Sequence, residues 1–150
     1  MKKKNLIYVA TILAFGVAIT SVNADTRATG GGANLSKGQS ITYTMDNAQY
    51  RYFFGSAKAN VTPASGTKIR WVMKRTGLFG SKVAEDYIVG LNTSSYRHTA
   101  IFDYNVSGNY NNVYTAVDGA YNGNVQTTNS TDSYIAVSYT HLRAHETSLH

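Results

Sequence analysis

The chain has 150 residues and no cysteine, carries a formal net charge of +6, and contains only 15% charged residues. This length suits a single domain. The absence of cysteine excludes a disulfide scaffold, a thiolate metal site and a cysteine nucleophile. The sequence is rich in Tyr, Asn, Gly, Ser and Thr rather than in strong helix formers, which argues against an amphipathic helical protein.

The first 24 residues have the layout of a secretory signal peptide. Lys2–Lys4 form a positive segment, Leu6–Ile19 is an uncharged and largely apolar stretch of 14 residues, and Val22 and Ala24 precede the expected cleavage point. An apolar stretch of this length is shorter than the roughly 20 residues that span a bilayer. We therefore expect a signal-peptide helix over 1–24 and a secreted mature protein, with an uncleaved membrane anchor as the alternative.

The mature chain is expected to begin with a flexible leader and to continue as a β-domain. Residues 25–34 include three consecutive glycines and few apolar side chains, which predicts a leader without fixed structure. Residues 35–136 show short alternating segments. Ser40–Met45 and Tyr50–Phe54 alternate apolar and polar side chains on either side of an Asp-Asn turn signal, which predicts a β-hairpin.

The segment Lys68–Arg75 is the clearest strand of the sequence. Ile69, Trp71 and Met73 alternate with cationic residues, so that one face can be buried and Trp71 is expected at the centre of the core. Val83–Leu91 is predicted as the next strand. The intervening residues 76–81 are then expected to form a hairpin tip.

The rest of the domain continues the same pattern. Strands are predicted over Tyr96–Tyr104 and Tyr110–Val117. An Asp118-Gly119 hairpin turn then leads to a strand near Val125. Another strand is expected to begin at Tyr134–Ala136. The total of about six to eight short strands, with no helix after the signal peptide, predicts an all-β fold: a small antiparallel β-sandwich or barrel.

The C-terminal residues 137–150 are predicted not to be native. Val137–Thr147 matches, residue by residue, the translation of one reading frame of a transposase-based sequencing adapter. The codons of the next three residues have the length expected if an index sequence of eight bases and the flanking adapter follow. We therefore expect the native domain to be truncated after Ala136, so that a further strand or a cell-wall sorting signal would follow in the complete protein. A native polar C-terminus is the alternative.

The sequence offers no convincing metal or nucleic-acid site. Three histidines and Glu146 cluster within 137–150 and are set aside with that segment, which leaves His98 as the only other histidine. Between residues 25 and 136 the formal charge is +3, from ten cationic and seven anionic side chains. This charge is low for a protein that binds nucleic acid. No cofactor is predicted.

No catalytic constellation is evident either. Glu85 and Asp86 would point to opposite faces of a strand, so they are expected to be solvated or ion-paired rather than to act together. His98 is expected to pack across strands. A hydrolase is therefore the least favoured reading, and we expect a protein without enzymatic activity.

The predicted tip contains the strongest candidate binding site. Leu78 and Phe79 lie between two glycines, with Lys74, Arg75 and Lys82 on either side. An apolar tip with basic flanks can insert into an anionic surface or a partner protein. The alternative, favoured because an exposed apolar pair is costly, is that the two side chains fold back as a lid on the sandwich.

Tyrosine supplies a second, weaker indication of binding. Ten of the twelve tyrosines lie between residues 25 and 136, and Tyr50 and Tyr52 share one face of a predicted strand. Exposed tyrosine rings are common in binding surfaces and stack on sugars. Cross-strand packing is the favoured explanation, because tyrosine is a common strand residue.

These observations favour a secreted bacterial binding or surface-interaction module that contacts a cell-surface glycan, a protein or an anionic membrane. A bacteriocin-like or membrane-active secreted factor is the alternative, supported only by the basic apolar tip. Nothing in the sequence indicates the oligomeric state.

Overall fold

The computed structural model describes residues 26–131, which form two packed antiparallel β-sheets. In the described part of the chain the strands are β1 Thr26–Leu35, β2 Ser40–Ala48, β3 Tyr52–Ala59, β4 Lys68–Arg75, β5 Lys82–Ile88, β6 Arg97–His98, β7 Phe102–Asp103, β8 Gly108–Val117 and β9 Tyr121–Ser130. One sheet has the order β1-β9-β3-β6, with β7 also paired to β3, and the other has the order β2-β8-β4-β5. The prediction of an all-β, sandwich-like fold is confirmed.

Alternation of burial along the strands creates the core between the two sheets. In β8, Tyr110, Asn112, Tyr114 and Ala116 are buried, while the residues between them are half-buried on the outer face. The same period of two places every second side chain of β4 inside. The two strands pair along their length, so their inward side chains form one continuous layer.

Trp71 occupies the centre of the core, as predicted. Its side chain is fully buried, and its indole ring lies against the backbone of Gly55, where an added Cβ would come within 2.8 Å of the indole Cγ. The Phe53 and Phe102 rings lie beside it, with centroids at 6.1 and 5.8 Å. The indole Nε1 donates a hydrogen bond of 2.9 Å to Thr127 Oγ1. A large aromatic side chain of this kind is the main apolar contribution to a small core.

The prediction of a flexible leader over 25–34 is wrong from Thr26 onward. These residues form β1, which pairs with β9 without interruption from Thr26 to Leu35. The glycines allow a close approach: a Cβ on Gly31 would lie 2.9 Å from the Tyr43 hydroxyl, which donates a hydrogen bond of 2.6 Å to the Gly32 carbonyl. Gly31 is therefore required for packing between the sheets, and Gly30 for the close approach of the paired strand β9, where a Cβ would lie 2.1 Å from the Val125 carbonyl oxygen.

Two of the three predicted hairpins are wrong in their pairing, whereas the hairpin of β4 and β5 is confirmed by its register. β2 and β3 belong to different sheets, as do β8 and β9. Asn47 (φ 53°) lies inside β2, at the register irregularity between Met45 and Ala48, whereas Asp118 (φ 66°) lies in the turn between β8 and β9. A turn of this kind reverses the chain, but it does not decide whether the next strand joins the same sheet or the facing one.

The continuous strand predicted over Tyr96–Tyr104 is replaced by the two short strands β6 and β7. Between them, the Thr99 hydroxyl accepts a hydrogen bond of 2.9 Å from the Gly55 amide, and Asp86 Oδ2 accepts one of 2.7 Å from the Ala100 amide. Side chains thus satisfy backbone groups where the ladder is interrupted. The predicted signal peptide, the strand at 134–136 and the adapter-like segment 137–150 lie outside the described residues.

Candidate functional site

The hairpin between β4 and β5 ends in a tightly constrained turn. The amide of Gly80 donates to the Gly77 carbonyl at 3.3 Å, and the amide of Arg75 donates to the Ser81 carbonyl at 3.0 Å. Gly77 has a φ of +120°, and a Cβ on Gly80 would lie 1.9 Å from the Arg75 carbonyl oxygen. Both glycines are therefore required by the backbone, and the turn has one well-defined shape.

This turn directs two large apolar side chains into solvent. Leu78 and Phe79 are its central residues, and their exposed fractions are 91% and 92%. The exposed large apolar side chain that comes next among residues 26–131 is Val61, at 63%. The alternative in which Leu78 and Phe79 fold back as a lid is therefore wrong.

Two lysines stand directly across from each other at the base of the tip. The strand register pairs Lys74 with Lys82 after a local irregularity at which Val83 of β5 has no partner in β4. Lys82 forms an ion pair with Glu85, whose carboxylate also accepts a hydrogen bond of 2.8 Å from Arg70 Nε. Within residues 26–131, Lys74 forms no ion pair. Like charges at facing positions of an antiparallel pair are unfavourable.

The cationic surroundings of Glu85 keep it ionised. The hydrogen bond from Arg70 is the largest cause and that from Lys82 the second, and together they lower the pKa of Glu85 from 4.5 to about 2. The single carboxylate of Glu85 is thus shared by two cations, Arg70 and Lys82. Lys74 is a third cation on the outer face beside the tip, so this face has a net positive charge. This agrees with the expectation that Glu85 is ion-paired.

The third predicted cation, Arg75, is held against two tyrosines. Its guanidinium lies 5.6 Å from the centroid of the Tyr110 ring, and a hydrogen bond to Tyr104 is the main cause that raises the pKa of Arg75. The Tyr104 ring is 38% exposed, so this cation–aromatic contact lies at the surface.

Tyr50 and Tyr52 lie at the same end of the sandwich but on the other sheet. Tyr50 is half-buried and packs against the core. Tyr52 is half-buried, with the Arg51 guanidinium 5.4 Å from the centroid of its ring. Arg51 also forms a two-pronged ion pair with Asp103, through Nε at 2.5 Å and an Nη nitrogen at 2.9 Å. Neither tyrosine presents an open stacking face like the one the sequence suggested.

Arg51, Asp103 and Tyr104 were missed at the sequence level. The amide of Tyr104 donates to the Arg51 carbonyl at 3.0 Å, which links the tyrosine–arginine pair of the tip to the Arg51–Asp103 ion pair. Apolar alternation around Phe102 was visible in the sequence, but the pairing of β7 with β3 that creates this neighbourhood was not.

Other chemistry-bearing groups in the described residues have structural roles. His98 Nδ1 lies 3.0 Å from Ser56 Oγ, and the Phe54 ring packs edge-on against the imidazole at 5.9 Å. This agrees with cross-strand packing. No group of three or more His, Cys, Asp or Glu side chains within residues 26–131 is arranged to hold a metal ion.

The opposite end of the sandwich has a shallow, uncharged concavity of about 390 Å³. Its lining consists of Asn34, Val61, Thr62, Pro63, Ala64, Ala120, Tyr121 and Asn122. In the part of the chain that the structure describes, no helix is long and apolar enough to cross a bilayer.

No protein-family model and no curated protein matches the chain. Among solved structures, the chain is similar to a protein from Sulfurospirillum deleyianum, with a TM-score of 0.47, 8% identity, and coverage of 71% of this chain and 96% of that one. It is also similar to a protein of the disulfide-linked pili of Bacillus endospore appendages (TM-score 0.41, 14% identity, coverage 71% and 86%). A family 16 carbohydrate-binding module is similar at a TM-score of 0.33, 17% identity, and coverage of 67% and 74%. All three identities and TM-scores are low, so these similarities support no argument about function.

Proposed function

We propose that the protein is a secreted, non-enzymatic bacterial surface-interaction module, and that residues 74–82, here termed the tip hairpin, form its contact element. The observation that supports this most directly is the almost complete exposure of Leu78 and Phe79 at the end of a constrained turn. Their apolar surface does nothing for the core, so a contact outside the domain is the physical reason to keep it.

The choice of residues in the turn strengthens the proposal. Tight turns favour Gly, Asn, Asp, Ser and Pro, because these residues satisfy the backbone geometry or hydrogen-bond to it. Gly77 and Gly80 already meet the geometric demand of this turn. The two central positions are then free to be polar, and an apolar pair there has no local benefit.

The charges beside the turn favour an anionic partner. Lys74 and Lys82 face each other across the ladder, and only Lys82 is compensated by a carboxylate within the described residues. An anionic surface, such as a cell-wall polymer, an acidic protein or a membrane, would relieve this repulsion on contact.

Binding of the labelled protein to washed bacterial cells tests the proposal. The double variant Leu78→Ser/Phe79→Ser is expected to bind at least about tenfold more weakly, because it loses most of the apolar contact area. The matched control is Val61→Ser/Val89→Ser, which removes two exposed apolar side chains (63% and 53%) at the opposite end. Equal binding by the tip variant and the wild type, with both folded, would contradict the proposal.

The same exposed apolar pair also supports a second candidate function, a membrane-active secreted factor. Such a factor would release a trapped dye from lipid vesicles, whereas a binding module would attach to its target without permeabilising it. Dye release at the concentrations at which the protein binds cells would favour this second function.

A further inference from the structure

We infer that the partner of the tip hairpin is an anionic lipid bilayer, with Leu78 and Phe79 inserted among the acyl chains and Lys74 and Lys82 at the headgroup phosphates. This inference rests on the proposed function and narrows its partner to lipid.

The shape and size of the apolar surface favour a bilayer over a folded protein. A stable protein interface buries about 800 Å² on each side, with a well-packed centre. Here the exposed apolar surface is confined to two side chains at a convex hairpin end, and charged or polar residues begin immediately behind them. A bilayer is deformable and needs no preformed pocket, so two inserted side chains and nearby cations are enough for reversible binding.

The placement of the cations suits an anionic headgroup layer. The register sets Lys74 and Lys82 side by side, on the two strands that lead into the turn. When the tip enters the bilayer, these two residues stand at headgroup depth behind the inserted side chains. A headgroup phosphate would supply the anionic partner that Lys74 lacks among the described residues, and the nearby Lys82 adds to the positive potential.

The aromatic groups beside the tip fit the same orientation. Arg75 is held between Tyr104 and Tyr110 at the level where the turn begins. Tyrosine is enriched at membrane–water interfaces, because its ring is apolar and its hydroxyl is polar. The half-exposed Tyr104 is placed to contact the interface once Leu78 and Phe79 are inserted.

The variant Phe79→Trp tests insertion directly. Its new indole is expected to show a blue-shifted emission when vesicles of phosphatidylcholine with about one-third phosphatidylglycerol are added, and to be quenched by brominated acyl chains. Trp71 is fully buried in the core, so its emission provides a constant background. An unchanged spectrum with these vesicles would overturn the inference.

Vesicle co-sedimentation tests the separate parts of the site. Leu78→Ser/Phe79→Ser is expected to lower the partition coefficient at least about thirtyfold. Lys74→Gln is expected to lower it about fivefold on anionic vesicles and to leave the weak binding to pure phosphatidylcholine unchanged. The control Lys37→Gln removes an exposed cation at the opposite end and should have no effect. Equal losses for both lysine variants would contradict the assignment of Lys74.

The cell and vesicle experiments separate the two claims. If cell binding depends on the tip hairpin and vesicles do not bind, the surface-interaction function stands and the lipid inference is wrong. If cell binding does not depend on the tip, both are wrong. If cell binding depends on the tip hairpin, and vesicles bind and the tip variants reduce that binding, both claims are supported.

Discussion

The hydroxyl of Thr127 joins the two sheets at the centre of the core, and its removal gives a quantitative test of the structure. Thr127 Oγ1 lies 2.9 Å from Trp71 Nε1 and 2.5 Å from the Tyr114 hydroxyl. Because the indole N–H can only donate, Thr127 must accept this bond and can donate to Tyr114. All three residues are fully buried, and burial raises the pKa of the Tyr114 phenol, so the phenol stays protonated.

Thr127→Val keeps the shape of the side chain but removes the only oxygen that satisfies both neighbours. Leaving a buried polar group without its partner costs about 1–3 kcal/mol. Two such groups, the indole N–H and the phenol O–H, give an expected loss of about 3 kcal/mol. This is a large share of the 5–15 kcal/mol by which domains of this kind are stable.

Urea unfolding followed by Trp71 fluorescence measures this loss. Tyr114→Phe removes one of the stranded groups, so the double variant Tyr114→Phe/Thr127→Val should be more stable than the sum of the single losses predicts, by about 1–2 kcal/mol. A Thr127→Val loss below about 1 kcal/mol, or single losses that simply add, would refute the assigned bonding.

Three further predictions concern other parts of the fold. Gly55→Ala should lower the free energy of unfolding by about 1–3 kcal/mol, because its Cβ would press on the Trp71 indole, whereas Gly32→Ala, with nothing within 4 Å, should have little effect in the same urea assay. Asn129→Leu should raise the free energy of unfolding by about 1 kcal/mol, and with it the melting temperature. The reason is that neither amide atom of the buried Asn129 side chain has a hydrogen-bond partner among the described residues. The pKa of Glu85 is lowered to about 2 in the folded state, so its stabilising contribution is present above about pH 4.5 and is lost as the pH falls towards 2. The variant Glu85→Gln lacks this titrating group and should therefore lose less stability than the wild type over that pH range. The urea midpoint measured as a function of pH checks this prediction.

The fold class could be predicted from the sequence because it depends on local periodicity. The alternation in Lys68–Arg75 identified a strand, its inward face and the central position of Trp71, all of which the structure confirms. Strand partners depend instead on contacts between distant residues. Asp118 gave a correct turn signal, whereas Asn47 marks an irregularity inside β2, and the same turn chemistry serves a hairpin and a crossing between two sheets.

The glycine run of β1 shows why composition alone was misleading. Glycine is typical of flexible segments, and the sequence contains no local sign that distinguishes such a segment from a close approach. What decides the outcome is the Tyr43 side chain on the facing sheet, which would collide with a Cβ at Gly31. The relevant residues are 12 positions apart in the sequence and lie on strands of different sheets, so their contact depends on how both strands are paired.

The residues of the candidate site could be identified from the sequence because they depart from the residue types that are usual at such positions. A sequence that is locally consistent with its fold places polar residues at a tight turn and opposite charges across a ladder. The tip hairpin departs from both expectations at once, with Leu78 and Phe79 in the turn and Lys74 facing Lys82. The sequence showed these residues together, but only the structure shows that the apolar pair points outward and which lysine lacks a carboxylate partner in the described chain.

Substitutions in the tip hairpin are expected to change binding but not the stability of the domain. Leu78 and Phe79 make no contribution to the core, and the turn is held by Gly77 and Gly80. Polar residues at positions 78 and 79 should therefore leave the free energy of unfolding within about 0.5 kcal/mol of its value in the wild type, the range expected of surface substitutions. Stability and binding should thus separate completely at the tip hairpin, whereas at Trp71 and Thr127 they should fall together.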